Sequence, residues 1–124
     1  RVECRPWPTR RAIPLLIGGA SDAAIRRAAT VGDGYFPYVV PDQDIREVLP
    51  ALVARVRKEA SAAGRDPDEI EFTSGGARTP ADAKWFADHG VSRLTIAMRS
   101  RTIPELRDEI SRFADEVISH TIDL

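Results

Sequence analysis

Two glycine pairs mark where this sequence could do chemistry. Gly18-Gly19 is followed by Ala20-Ser21, and Gly75-Gly76 by Ala77-Arg78-Thr79. Each pair closes an apolar run and precedes a helical pattern. That order can turn backbone N–H groups and a helix N-terminus toward a bound anion. Arg78, Arg99 and Arg101 fall on the same predicted rim, where they could clamp a phosphate or carboxylate bidentately. The competing reading is two tight turns, each with a capped helix, and a set of solvated arginines. A lone Gly-Gly matches neither G-x-G-x-x-G nor the lysine-bearing P-loop, and Asp22 in the first turn would repel an anion.

Other reactive residue types are sparse. His89 and His120 have no neighbours at metal-ligand spacing, so both read as structural and no metal is expected. No G-x-S-x-G or C-x-x-C arrangement occurs. Tyr35, Phe36 and Tyr38 divide between core and rim, and a flat ring at a strand end could line a cofactor pocket. Asp33 is expected to bond backbone N–H groups at a helix-to-strand turn. No catalytic residue can be named.

Those candidates must be held by elements, and the chain's patterning supplies them. Ile13 to Ile17 reads as a strand buried on both faces. Ser21 caps a helix that puts Ile25, Ala28, Ala29 and Gly32 on one face. Tyr35 to Val40 is a second strand whose regular pairing ends at Pro37. Asp42 opens a long helix with an apolar stripe through Ile45, Val48, Leu49, Leu52, Val53, Val56, Ala60 and Ala63. Pro50 lies inside that stripe without shifting its phase, so a kink is expected and not a break. Gly64 stops this helix.

Ile70 to Ser74 is a third strand. Thr79, Pro80 and Asp82 start a third helix, which ends at Gly90. Arg93 to Met98 is a fourth strand, and Thr102 to Glu105 has the T-x-x-E form of a capping box. The last helix is expected to bury Leu106, Ile110, Phe113, Ala114, Val117, Ile118 and Thr121. Strand and helix thus alternate four times, which implies an α/β fold with a parallel sheet and ligands at the strand C-terminal ends. Residues 1–12, with Pro6 and Pro8, read as an extended arm or linker, and residues 13–124 as one βα domain.

Composition narrows the function classes. The 124-residue chain is 43% hydrophobic and 30% charged, as expected of a globular domain. A net charge of -1 gives no attraction to nucleic acid or an anionic membrane, and the arginines of the arm read as solvated. No apolar run approaches the roughly 18 residues of a membrane span. Cys4 is the single cysteine, so a cytoplasmic location is expected. The chain starts at Arg1 and has only one methionine, Met98, so an upstream segment is expected to be missing.

Read together, several motifs carry a family likeness. Pro6-x-Pro8, Ile13-Pro14-Leu15-Leu16-Ile17-Gly18-Gly19-Ala20-Ser21, Ala24-Ile25-Arg26-Arg27-Ala28-Ala29 and Gly32-Asp33-Gly34-Tyr35-Phe36-Pro37 resemble the second half of luciferase-like monooxygenases. Ala63-Gly64-Arg65-Asp66-Pro67 and Ala87-Asp88-x-Gly90-Val91-x-Arg93 are similar to the same family, especially its deazaflavin-dependent oxidoreductases. The chain departs from the pattern at Arg11-Ala12 and at Pro50.

The resemblance implies the C-terminal half of a TIM (β/α)8 barrel that binds FMN or a deazaflavin coenzyme (coenzyme F-420). Gly18, Gly19, Ala20 and Ser21 would be the cofactor-binding loop, against its phosphate or side chain. Independently of the resemblance, the residues themselves make Gly75, Gly76, Arg78 and Arg99 possible further anion or substrate contacts. The activity implied is that of an oxidoreductase or monooxygenase acting on a small organic substrate. The Arg-rich composition tilts the choice toward the deazaflavin branch.

A complete barrel takes about 250 residues, so a half-barrel would expose two strand edges and pair with itself or with a missing N-terminal half. Two alternatives stand beside the enzyme reading. One is a non-catalytic half-barrel binding or assembly module. The other is a small, doubly wound α/β domain with a phosphate-bearing ligand, which strand order would distinguish.

Overall fold

A computed structural model of the chain describes residue 9 and residues 13–37 and 43–121. The proposed arm at residues 1–12 therefore lies almost wholly outside the described residues, as do Tyr38 and Asp42. Four strands alternate with four helices: β1 (Leu16–Gly18), α1 (Asp22–Val31), β2 (Gly34–Phe36), α2 (Ile45–Ala62), β3 (Glu71–Gly75), α3 (Pro80–Asp88), β4 (Arg93–Thr95) and α4 (Ile103–Glu116). Short 3-10 turns at Pro67–Glu69 and Ile118–His120 complete the order.

All neighbouring strands are parallel, and the sheet order is β1-β2-β3-β4. A doubly wound sheet reverses its strand order at a switch point. This sheet has no reversal, so the doubly wound alternative is set aside, and a partial TIM barrel accounts for the topology.

The core lies between the sheet and α1 to α3. Ile25, Ala28 and Ala29 of α1 meet Leu49, Val53, Val56 and Ala60 of α2 over Tyr35, Phe72 and Phe86, all buried. The small residues of α1 matter because a Cβ on Gly32 would lie 2.9 Å from the Ile17 side chain. Only glycine lets the helix end settle this close to β1. Pro50 lies within a continuous α2, which its missing N–H does not divide. The helix starts at Ile45 under a cap from Asp44, whose Oδ1 accepts from Arg46 N at 2.9 Å. At the other end Gly64, with φ +76, lets Arg65 N donate back to the Ala60 carbonyl.

Three expectations are corrected. Ile13, Leu15 and Leu16 are 67%, 52% and 45% exposed, so the first strand is not buried on both faces. Its position explains this, since among the described residues β1 is an edge strand that pairs only with β2. The last helix has no buried residue; Val117 just beyond it is buried, while Ile110 and Ile118 are about half exposed. It sits past β4, the other edge of the described sheet, and among the described residues no further strand covers its apolar stripe. The T-x-x-E box does not close either. Thr102 makes no side-chain cap bond and instead donates its hydroxyl to Glu105 Oε2 at 2.7 Å.

Candidate functional site

The C-terminal ends of β1, β2 and β3 enclose a cavity of about 420 Å³ lined by Gly18, Gly19, Phe36, Pro37, Ile45, Ser74 and Gly75. Its position follows from the parallel order, which brings all the βα turns to one rim. Its walls are apolar apart from the backbone and Ser74, a surface suited to a flat ring.

Gly19 takes φ +111, which a side chain would strain, and its N–H donates to the Phe36 carbonyl at 3.2 Å. Its own carbonyl accepts the Tyr35 hydroxyl at 2.7 Å. Burial raises the Tyr35 hydroxyl above its ordinary pKa, with Arg55 opposing the shift, so this group stays a proton donor to the loop. Tyr35 therefore fixes the glycine turn from below, a role its place in an apolar run did not reveal.

The three described βα turns differ in what their N–H groups already hold. After β3, Asp82 Oδ2 accepts from the backbone N–H groups of Arg78 and Thr79, both at 2.9 Å. Asp82 also receives a bond from Arg46, and Thr79 Oγ1 accepts Asp82 N to complete the capping box. These bonds, led by that from Arg78 N–H, hold the Asp82 carboxyl down to about 2. After β4, Glu109 accepts from Arg99 N at 3.1 Å and Ser100 N at 3.0 Å, and these bonds lower its pKa, Ser100 N–H contributing most. Both turns thus carry an internal carboxylate where an external anion would bind.

The turn after β1 does not. Ser21 Oγ accepts from Ala24 N at 3.3 Å, but Ala20, Ser21, Asp22 and Ala23 have no partner for their N–H groups among the described residues. Asp22 is held by Arg55, Nη1 to Oδ1 at 2.8 Å, across α1 and α2. This pairing offsets the negative charge expected to repel an anion there. Arg55 is 33 residues away in sequence and gave no local signal of the contact.

The remaining candidates are dispersed. Gly75 lines the cavity, whereas Gly76, φ +108, turns the chain beyond it. Arg78 donates to the Ala97 carbonyl at 3.2 Å. Arg99 lies with Arg101, Glu105, Asp108, Glu109 and Arg112 around a separate polar recess of about 600 Å³. Arg78 and Arg99 are therefore not drawn together as a clamp on the apolar cavity. Asp33 Oδ2 accepts Leu15 N at 2.7 Å and ties its turn to β1. His89 stacks on Trp85 with ring centroids 4.0 Å apart, and its Nδ1 lies 2.7 Å from the Trp85 carbonyl. Among the described residues no cluster of three metal-ligating side chains occurs, and no helix is long and apolar enough to cross a membrane.

Comparison with known proteins gives this geometry a family. The luciferase-like monooxygenase family matches residues 1–101. Uncharacterized proteins of Mycobacterium bovis and of two Mycobacterium tuberculosis strains are each 34% identical over 100 residues, 80% of this chain and 33% of theirs. The chain thus spans about a third of the length of the curated relatives it matches.

Proposed function

The chain belongs to the luciferase-like monooxygenase family, and we propose on that premise that it contributes the cofactor phosphate or side-chain loop of a flavin- or deazaflavin-dependent oxidoreductase or monooxygenase. The family generally uses flavin or the deazaflavin coenzyme. One observation carries the proposal. Among the described residues the N–H groups of Ala20 to Ala23 are open, directly after Gly18 and Gly19 of the cavity wall, while the turns after β3 and β4 are occupied by their own carboxylates. An anionic tail on a flat aromatic head fits that pairing of surfaces.

In this reading Gly18 and Gly19 form the turn that presents the N–H groups of Ala20 and Ser21 to the phosphate, with Tyr35 holding Gly19 in place and Arg55 restraining Asp22. Phe36, Pro37 and Ile45 supply the apolar wall and exclude water from the ring. Gly75 borders the same space. Gly76, Arg78 and Arg99 contribute by shaping the rim. The bound cofactor would supply the redox chemistry, either hydride transfer or oxygen activation, on a small organic substrate. The Arg-rich composition favours the deazaflavin coenzyme over FMN. The location proposed is cytoplasmic.

Fluorescence titration of the 124-residue chain with FMN, riboflavin and the deazaflavin coenzyme tests this. Saturable binding of FMN or the deazaflavin coenzyme, with riboflavin weaker for want of the phosphate, is expected. Equal affinity for FMN and riboflavin would remove the anion loop from the proposal, and no binding of any of them would remove the cofactor.

A further inference from the structure

The turn Ala63-Gly64-Arg65-Asp66-Pro67, which follows α2, reaches across to a different helix. Gly64 takes φ +76, and Arg65 N donates to the Ala60 carbonyl at 3.0 Å. Asp66 Oδ1 accepts Asp68 N at 2.9 Å, and Pro67 takes the first position of the 3-10 turn. The backbone of Arg65 is thus fixed on both sides. Its side chain reaches the end of α1, where Nη1 donates to the carbonyls of Ala28 at 3.3 Å and Ala29 at 3.1 Å.

Those carbonyls need a donor, because the last turn of a helix leaves its C=O groups without an intrahelical partner. Ala28 O accepts from Gly32 N at 3.2 Å. Asp33 N, which a longer helix would turn to Ala29 O, donates instead to Leu15 O at 2.9 Å. Ala28 and Ala29 are fully buried, so water does not reach them, and an unmet carbonyl there would cost free energy. α1 has no basic residue in its own last turn. Arg65 is therefore the one donor to Ala29 O among the described residues, and it brings a cation to the negative end of the helix dipole. At the opposite end Arg55 of α2 holds Asp22 at 2.8 Å. α2 and the turn after it grip α1 by both ends.

We propose that Arg65 is a positioning residue for the anion turn after β1. By anchoring the last carbonyls of α1 it sets where the N–H groups of Ala20 to Ala23 stand along the helix axis. This step rests on the proposed function, since it gives Arg65 a part in that site. A ten-residue helix is a stiff rod about 15 Å long, so an axial shift at one end appears at the other. Packing of Ile25, Ala28 and Ala29 on α2 holds α1 to the domain, but such apolar contact is non-directional. The hydrogen bonds at the two ends are directional and fix the axial position. Direct attraction between Arg65 and a bound anion is slight, because a helix length exceeds the screening distance of about 8 Å at physiological ionic strength. Arg65 acts through the helix.

Variants of the 124-residue chain test this, with far-UV circular dichroism to follow the fold. Arg65→Met removes both bonds and the charge, whereas Arg65→Lys keeps a cationic donor of similar reach. In amide NMR spectra Arg65→Met should shift the resonances of Ala20 to Ala23 as well as those of the last turn, and Arg65→Lys should return them toward the parent. FMN affinity should fall roughly 3- to 10-fold in Arg65→Met, a fraction of one hydrogen bond to a charged group. Riboflavin affinity should not change, and the lysine variant should bind FMN as the parent does. Arg65→Gln, neutral but still a donor, carries the same readouts should Arg65→Met not fold. Shifts confined to the last turn, or an equal loss for FMN and riboflavin, would leave Arg65 a helix cap and overturn the proposal. A parent chain that binds neither flavin removes the proposed function instead, and the resonances of Ala20 to Ala23 still decide whether Arg65 sets their position.

Discussion

Replacing Ser21 with aspartate isolates charge from structure at the loop. Serine and aspartate are equivalent N-caps, and Ser21 already sits in the extended cap conformation with φ -74 and ψ 156. An aspartate oxygen can accept Ala24 N as Ser21 Oγ does at 3.3 Å, so folding stability should change by less than about 0.5 kcal/mol. The substitution places a new negative charge within one side chain of the open N–H groups. For two charges about 5 Å apart, between bulk water and a partly shielded surface, repulsion is roughly 1–3 kcal/mol. The corresponding loss of affinity for FMN or the deazaflavin coenzyme is roughly 5- to 150-fold. Ser21→Asn keeps the cap without the charge and should bind like the parent. Fluorescence titration at low and high salt gives the comparison, and the aspartate penalty should shrink as salt screens it. If Ser21→Asp binds as tightly as Ser21→Asn, no anion sits at this turn and the reasoning fails. Gly19→Asp is the poorer probe, because its φ of +111 would strain any side chain and confuse a folding defect with a binding one.

Tyr35→Phe removes the 2.7 Å bond to the Gly19 carbonyl; it should cost about 0.5–1.5 kcal/mol in urea unfolding and weaken cofactor binding, and unchanged affinity would mean that the turn holds its shape unaided. Gly34→Ala should destabilise the domain by roughly 1–3 kcal/mol, because the new Cβ would meet the Leu16 side chain at 2.5 Å and the Glu71 backbone carbonyl at 3.0 Å. The Asp82 carboxyl is held at about 2, below its unfolded value of 3.8. Its stabilisation is therefore complete above about pH 4 and is lost as pH falls through about 2, on the order of 1 kcal/mol after solvent screening. Urea midpoints of the parent and Asp82→Asn should accordingly converge between pH 4 and pH 2, and a constant gap would refute the assignment.

The alternation of apolar runs and helical patterns determined the βα order, because strand and helix periods are local properties of the chain. Ser21, Thr79 and Gly64 marked helix ends for the same reason, since a cap engages groups within a few residues. The family was legible too, in the ordered motifs around Gly18-Gly19 and Gly32-Asp33-Gly34.

What depended on partners distant in sequence was not legible. Burial of Ile13 to Leu16 could not be judged without knowing that β1 lies at an edge, nor that of Ile110 without knowing what lies beyond β4. Asp22 read alone is a charge that repels an anion; only the packing of α1 on α2 brings Arg55 to hold it. The two glycine pairs read as equivalent candidates. Tertiary structure separates them, because Asp82 faces back onto the turn after β3 while, among the described residues, no carboxylate accepts from the N–H groups of the turn after β1. A backbone N–H is free or taken according to what folds beside it, and that depends on the whole domain.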